Sequence, residues 1–434
     1  MRTWKSYQKN NRDDLTGPLL HIARQFEHFQ FLNSCGNTVY GKNKFDYLLA
    51  IGNYRHIETN AGDAFEQLKH FLDEHQDWCF GYFGYDLKNE IENLTSEHPD
   101  HIGFSDMVFF IPEIIIAVDE QIHIGTRHYQ HDVFYEQILS APGVIKNVHT
   151  PVVLRERISK DEYIDKVTSI RNHIVEGDIY EMNLCQEFFA DDAVIDPYAI
   201  FSELCNFSKA PFSVLFRWGD RYLISASPER FMKKTGDTIF SQPMKGTIQR
   251  DADPAKDILL KQQLSASEKD RAENVMIVDL VRNDLAKSCR TGTIQVDELF
   301  AIYSFEHVHQ MVSTVSGELN KETHPVDAIK NAFPMGSMTG APKVMAMALI
   351  EQYETTRRGL FSGSMGYFMP EKNGRGYDFD FNVIIRSILY QASEKYISAQ
   401  VGGAIVYDSV PEDEYRECLT KLGALEQILN GSHV

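Results

Sequence analysis

The sequence predicts an α+β fold in which antiparallel sheets are covered by helices. Two observations point there. Short apolar segments at 213–218, 221–226 and 238–241 are separated by Gly-Asp and Lys-Thr-Gly-Asp turns, so they read as a run of hairpins rather than as βαβ units. Much longer helical patterns, at 265–285 and 411–430, lie outside that run, as expected where helices cover sheets instead of alternating with every strand. The chain has 434 residues, 43% apolar and 24% charged, enough for a substantial core and unlike a disordered composition.

In chain order, residues 1–125 mix short aromatic-rich strands with one amphipathic helix spanning 62–75. Gly-Tyr-Phe-Gly-Tyr-Asp (81–86) has glycines spaced for a tight, buried strand. The most apolar stretch, 107–118, is interrupted by Pro112 and Glu113 and reads as two buried strand pieces, too short to span a bilayer. Residues 126–158 are polar and irregular, a connection between lobes. Ser159 and Glu162 have capping-box spacing and open a helix that runs to Glu176, where Gly177 stops it. Residues 178–188 alternate as a strand, the hairpins follow, and 265–285 is one long helix. Further helices cover 326–332 and 342–354, the second opened by Pro342. Segments 361–369, 380–390 and 395–407 are strands, and 411–430 closes the chain as a helix.

The formal charge of −19 argues against nucleic acid or an anionic membrane as the main partner. An anionic small molecule remains compatible, because a few local cations or a metal invert the field inside a pocket. Cys35, Cys79, Cys185, Cys205, Cys289 and Cys418 lie far apart, with no metal spacing, which suits reduced thiols in a cytoplasmic protein. The N-terminus lacks the apolar core of a signal peptide.

Chemistry concentrates in a few places. Lys245 lies in Pro-Met-Lys-Gly-Thr, between the fixed φ of Pro243 and the permissive backbone of Gly246, on a short, shaped turn rather than a helix. Such an amine is either solvated surface or a nucleophile, if its surroundings lower its pKa. Glu229, in Ser-Ala-Ser-Pro-Glu-Arg-Phe, is either a proton donor to a leaving hydroxyl or a turn residue paired with Arg230. Asp270 with Glu273, and Glu414 with Glu417, each put two carboxylates on one helix face. These are solvated acidic surfaces, or, on facing helices, ligands for Mg²⁺ together with water and substrate oxygens. The apolar run after Glu273 weighs against plain solvation, and Asp279, Arg282, Asn283 and Asp284 within it read as scaffold. Arg386, in the apolar stretch 382–389, is either paired internally or a fork for a carboxylate. Gly402-Gly403-Ala404 either admits a ligand to the backbone or packs tightly. Ser-Met-Thr-Gly-Ala-Pro-Lys (337–343) runs into a helix start whose amides suit an anion, without Walker spacing.

Together these segments resemble the chorismate-utilising enzymes. The likeness is carried in order by Pro-Met-Lys-Gly-Thr, Glu-Asn-Val-Met-Ile-Val-Asp-Leu-Val-Arg-Asn-Asp-Leu, Met-Thr-Gly-Ala-Pro-Lys, Arg-Arg-Gly-Leu-Phe-Ser-Gly-Ser-Met-Gly-Tyr and Pro-Glu-Asp-Glu-Tyr-Arg-Glu. It covers 160–430 closely and 1–150 more loosely. It implies a two-lobed antiparallel β-sandwich, with a shortened N-terminal lobe at 1–150 and a chorismate-binding catalytic domain at 155–432 forming one compact unit. Within the family, anthranilate synthases are expected to carry alanine where this chain has Lys245, and aminodeoxychorismate synthases lysine. The resemblance therefore implies that Lys245 attacks the chorismate ring as the 4-hydroxyl leaves with a proton from Glu229, and that ammonia then expels the lysine. It implies Glu273 and Glu417 as Mg²⁺ ligands, with Asp270 and Glu414 in or near that shell. It implies Gly246, Thr247, Tyr367, Arg386, Gly402, Gly403 and Ala404 as chorismate contacts, with Arg386 on the pyruvyl carboxylate.

Three departures refine this expectation. Gln310 stands where pyruvate-eliminating relatives place histidine, so amination without aromatisation is favoured, His309 being a substitute base next door. Ala404 replaces a family glycine. Pro211-Phe212-Ser213 departs from the Pro-Tyr-Met of tryptophan-regulated anthranilate synthases, which argues against tryptophan feedback. No segment resembles a glutaminase, so ammonia is expected from a separate glutamine amidotransferase subunit or from solution. The competing readings are an anthranilate-, isochorismate- or salicylate-type synthase, and a non-catalytic subunit of the same fold.

Overall fold

The alternating apolar segments assemble into two sheets. The structure, a computed structural model, describes residues 2–9, 14–40, 44–145, 150–372 and 376–431. Among these, the first sheet runs from Thr3–Gln8 through Gln121–Thr126, Ile114–Val118, Tyr47–Ile51 and His28–Asn33 to Phe212–Trp218, Arg221–Ser227, Ser387–Gln391, Tyr396–Ile405 and Glu181–Ala190. The second runs from Met244–Gln249 through Val308–Glu318, Thr238–Gln242, Arg230–Thr235, Tyr377–Asn382 and Ser364–Pro370 to Cys79–Phe83, Met107–Ile111 and Arg55–Thr59. Every pairing between described strands is antiparallel.

The two-residue period of a strand divides the core. In Tyr47–Ile51, Leu48 and Ala50 join a cluster with Tyr82, Phe110, Val214 and Met365 between the sheets. Leu49 and Ile51 face the other way, against helices Thr16–Ala23, Pro197–Ser208 and Pro411–Leu429. Helices Ala64–His75, Glu268–Ala286 and Pro325–Ala332 cover the outer face of the second sheet. This is a sandwich with helices outside.

Both sheets mix strands from before and after residue 150: His28–Asn33 pairs with Phe212–Trp218, and Cys79–Phe83 with Ser364–Pro370. The expected lobes 1–150 and 155–432 thus share their sheets. Their outermost residues, 1 and 432, lie outside the described residues, as does 146–149 of the expected connection.

Several elements differ from expectation for identifiable reasons. The apolar stretch 107–118 is two strands in different sheets, with Pro112-Glu113 as the crossing. The connection 126–158 contains the helix His131–Ser140. The helix expected at 265–285 divides at Ser267, whose hydroxyl accepts the Asp270 N–H at 3.3 Å and starts Glu268–Ala286 afresh after Pro254–Ala266. The hairpin Gln295–Ser304/Val308–Glu318 was not legible, since its outer strand is largely exposed and bulged. The expected helix at 160–176 is present as Lys160–Glu176: Ser159 Oγ accepts the Glu162 N–H at 3.2 Å, and Gly177 ends the helix at φ 89°. All six cysteines are free thiols, and no described helix is long and apolar enough to cross a membrane.

Candidate active site

Two stretches of chain pass from one sheet to the other side by side. The first links Arg221–Ser227 to Arg230–Thr235, and the second links Tyr377–Asn382 to Ser387–Gln391. Backbone hydrogen bonds tie them together, Val383 N–H to Glu229 O and Ala226 N–H to Arg386 O, each at 3.1 Å. Glu229 and Arg386 therefore sit on adjoining crossings. Arg386 is not inside a strand, as expected from its apolar neighbours, but in the break between two, at φ 51°. Its guanidinium makes no hydrogen bond or ion pair among the described residues, so internal pairing is not what holds it. Burial draws its pKa below the ordinary value, against the attraction of Glu417.

Lys245 belongs to an edge strand, Met244–Gln249, rather than a free turn. The strand is bulged between Met244 and Thr247, and Gly246 there has φ 80°. A β-carbon on Gly246 would lie 2.8 Å from Asp270 Cβ, so the glycine lets Asp270 pack against the bulge. The Lys245 side chain is only 10% exposed, and its Nζ donates to Glu181 Oε1 at 2.9 Å. Burial works against its charge, yet Glu181, Glu273 and Glu229 outweigh it and raise the pKa of the amine above its ordinary value. Burial also pushes the Glu229 carboxyl up to about 7, against the pull of Lys245 and of the Ser337 hydroxyl, which faces it outside hydrogen-bonding geometry. Arg230 is not its partner, since that guanidinium engages Asp380 at 2.9 Å.

Carboxylates close the site from two helices. On Glu268–Ala286, burial raises Glu273 to about 7, Lys245 and Lys269 opposing and Glu181 and Asp270 adding to it. On Pro411–Leu429, burial raises Glu414, which accepts from Ser409 Oγ at 2.6 Å. Burial also disfavours the charge of Glu417, but Lys421, 2.6 Å away, with Lys269 and Lys245 keeps it below the ordinary carboxylate range. The strand Tyr396–Ile405 lies alongside. A β-carbon on Gly403 would stand 3.3 Å from Glu414 Oε2 and 3.5 Å from Glu417 Oε1, whereas one on Gly402 would collide with Leu184 O and Cys185 Sγ. Gly402 is thus needed for packing, and Gly403 borders the carboxylates. Ala404 pairs with Asn183 in the ladder.

Thr247 accepts from Gln310 Nε2 at 3.2 Å across the edge pairing. His309, one residue earlier, points elsewhere and bonds Ser304 Oγ at 2.9 Å and Asp257 Oδ1 at 3.0 Å. It is not placed to substitute for a base beside Thr247. Nor does the structure bring Tyr367 to this group: it stacks on Trp78, 5.8 Å between centroids, in the core between the sheets. Of the expected scaffold charges, Asp284 is buried and bonds Lys343 at 2.6 Å, while Asp279 and Arg282 form an exposed pair.

Sequence reasoning missed Glu181, and it flagged the segments holding Asn274 and Ser337 without assigning either side chain to the site. Each carries a buried polar atom without a partner among the described residues, Glu181 Oε2, Asn274 Nδ2 and Ser337 Oγ, as does Gln310 with Oε1. Orphaned buried polar atoms on or beside the segments that carry Lys245 and the acids facing it suit a polar ligand.

The family of chorismate binding enzymes matches residues 31–427. The chain is 37% identical over 351 residues to aminodeoxychorismate synthase component 1 of Klebsiella aerogenes, spanning 80% of this chain and 76% of that one. It is 35% identical over 367 residues to an anthranilate synthase component I-like protein of Synechocystis, spanning 82% and 73%. Among solved structures, anthranilate synthase component I from Streptococcus pneumoniae superposes with a TM-score of 0.77 at 25% identity, over 87% of this chain and 91% of that one. With the fold shared and the match running through nearly the whole chain, this protein belongs to the chorismate binding enzymes.

Proposed function

We propose that this chain is the aminating component of an aminodeoxychorismate synthase, converting chorismate and ammonia to 4-amino-4-deoxychorismate for p-aminobenzoate and folate synthesis. One observation carries the reading: Lys245, enclosed by carboxylates, shares its site with Glu229, an acid still partly protonated near neutral pH. A covalent amine route needs both a buried nucleophile and a proton donor for the departing hydroxyl. Lys245 Nζ attacks the ring, Glu229 protonates the leaving oxygen, and ammonia then takes the place of the lysine. Arg386, with no hydrogen bond or ion pair among the described residues, holds a substrate carboxylate, and Gly403 leaves room at the backbone. Gln310 cannot act as a base, which favours release of the product without aromatisation.

The donor set also fits Mg²⁺: hard carboxylate oxygens, one of them, Glu273, held up to about 7 by burial, with Glu181 and Asp270 adding to it. No three of these carboxylates bring ligand atoms within 4.8 Å of one another. Glu273 and Glu417 would hold the ion, with Asp270 and Glu414 nearby and substrate oxygens completing it. When bound, Mg²⁺ supplies positive charge for the ring carboxylate. Ammonia comes from a separate glutamine amidotransferase subunit, in keeping with relatives named as a component 1.

The test is turnover. Purified protein with Mg²⁺, chorismate and ammonium should form aminodeoxychorismate, detected only after its lyase is added, and Lys245→Ala should lose most of that activity while still binding chorismate. A fluorescent aromatic product without lyase would replace this reading with an anthranilate- or salicylate-type one. No product at all would leave a non-catalytic member of the family.

A further inference from the structure

An amine that attacks must first be unprotonated, and in the resting protein Lys245 is held as an ammonium ion. The site itself has to receive that proton. Four acids face the lysine: Glu181 from strand Glu181–Ala190, Glu229 from the crossing, Glu273 from helix Glu268–Ala286 and, farther off, Glu417 from helix Pro411–Leu429. Glu229 has to arrive protonated in order to give a proton away. Glu273 and Glu417 are the acids assigned above to Mg²⁺, which would leave neither free to take a proton. Glu181 alone is hydrogen-bonded to Nζ, at 2.9 Å; it is 2% exposed, and its second oxygen has no partner among the described residues.

We propose that Glu181 is the catalytic base that takes the proton from Lys245 before attack and returns it when the lysine leaves. The inference rests on the lysine-adduct reading above, and the protons balance within it. Glu181 accepts one proton from the Lys245 ammonium, along a hydrogen bond that already exists. The Nζ–carbon bond then forms as the C4–oxygen bond breaks, and Glu229 gives its proton to the departing oxygen, which leaves as water. Ammonia next forms the C4–nitrogen bond as the Nζ–carbon bond breaks. Glu181 returns its proton to Nζ, and the new ammonium group gives one to Glu229. Both acids are restored, and the sum is chorismate plus ammonia giving aminodeoxychorismate plus water.

The test compares the full chain with Glu181→Gln, which keeps the size of the side chain but cannot accept the proton, and with Glu181→Asp. Each is given Mg²⁺, saturating chorismate and ammonium chloride, and two rates are followed: lyase-coupled product, and accumulation of the Lys245 adduct by intact-protein mass in a single turnover. For Glu181→Gln at pH 7.5, both rates should fall by about 100-fold or more, the usual worth of a positioned base, with KM for chorismate little changed. The ratio of wild-type to variant rate should shrink by about tenfold per unit from pH 7 to 9, because solvent must then remove the proton. Should Glu181→Gln not fold, Glu181→Asp decides, with a rate about tenfold or more below wild type and an unaltered pH profile expected from a base withdrawn by one methylene. Wild-type rates in either folded variant, or a Glu181→Gln loss equal at every pH, would overturn the proposal. A wild-type protein that makes neither product nor adduct fails at the lysine-adduct reading itself and takes the role of Glu181 with it. Normal product with an unaffected Glu181→Gln sinks the role of Glu181 alone.

Discussion

Replacing Glu229 by glutamine should make the protein more stable and much less active, and the structure sets the size of both effects. The Glu229 side chain is 4% exposed, and burial raises its carboxyl from 4.5 to about 7. Between those values the native state keeps a proton that the unfolded chain has lost, so stability falls as pH rises. The contribution is fully present below about pH 4.5 and gone above about pH 7, and the difference of about 2.5 pKa units corresponds to about 3 kcal/mol. Glutamine matches the neutral acid in shape and does not titrate. Relative to wild type, Glu229→Gln should therefore melt at a similar temperature at pH 4.5 and at a clearly higher one at pH 8, read by calorimetry across that range. The amide cannot deliver a proton, so kcat in the lyase-coupled assay should drop by about 10²–10⁴-fold. Wild-type kcat should itself decline by about tenfold per pH unit above pH 7 as the acid is lost. A variant that gains no relative stability between pH 4.5 and 8, or that keeps more than a tenth of wild-type kcat, would refute the burial argument or the acid role respectively.

Other outcomes follow from the same geometry. Gly246→Ala forces a left-handed alanine, costing about 1–2 kcal/mol, and drives its methyl against Asp270; kcat should fall at least about tenfold through displacement of Lys245, in a protein that circular dichroism still finds folded. Arg358 is 2% exposed and bonds both oxygens of Glu354, at 2.9 and 2.6 Å, so Arg358→Met strands a buried carboxylate and should cost about 3–5 kcal/mol in chemical denaturation. Because Glu273 must be ionised to bind a cation and is held up to about 7, calorimetric Mg²⁺ affinity should weaken by about tenfold per unit as pH falls below 7, and Glu273→Gln should abolish that dependence.

The legible parts of the fold were those with a local cause. Ser159, Glu162 and Gly177 bound their helix with their own hydrogen bonds and dihedral angles, so the helix could be read from neighbours in the chain. Pro254–Ala266 escaped because it buries only Leu264 and has no marked apolar stripe. The apolar run holding Arg386 read as one strand because Phe381, Val383, Ile384 and Ile388 are all buried, but the cores they enter belong to different sheets. Tyr367 was placed by motif beside a ligand, whereas its neighbours Trp78 and Phe80 lie just before and within the strand Cys79–Phe83, about 290 positions earlier in the chain.

Read along the chain alone, the residues give the α+β class, the capped helices, the free thiols and the family motifs holding Lys245, Glu273 and Glu417. Each of these is set by spacing along the chain, through turn sterics, helix periodicity or the order of short segments. It takes the packing of distant segments to set Lys245 on a bulged edge strand against Glu181, to leave Arg386 on a crossing between sheets without a hydrogen bond or ion pair among the described residues, and to turn His309 away from Gln310's partner. Burial and partners set the charge of a side chain, and here the decisive partner is 64 positions away, brought within 2.9 Å only when strands from two different sheets come together.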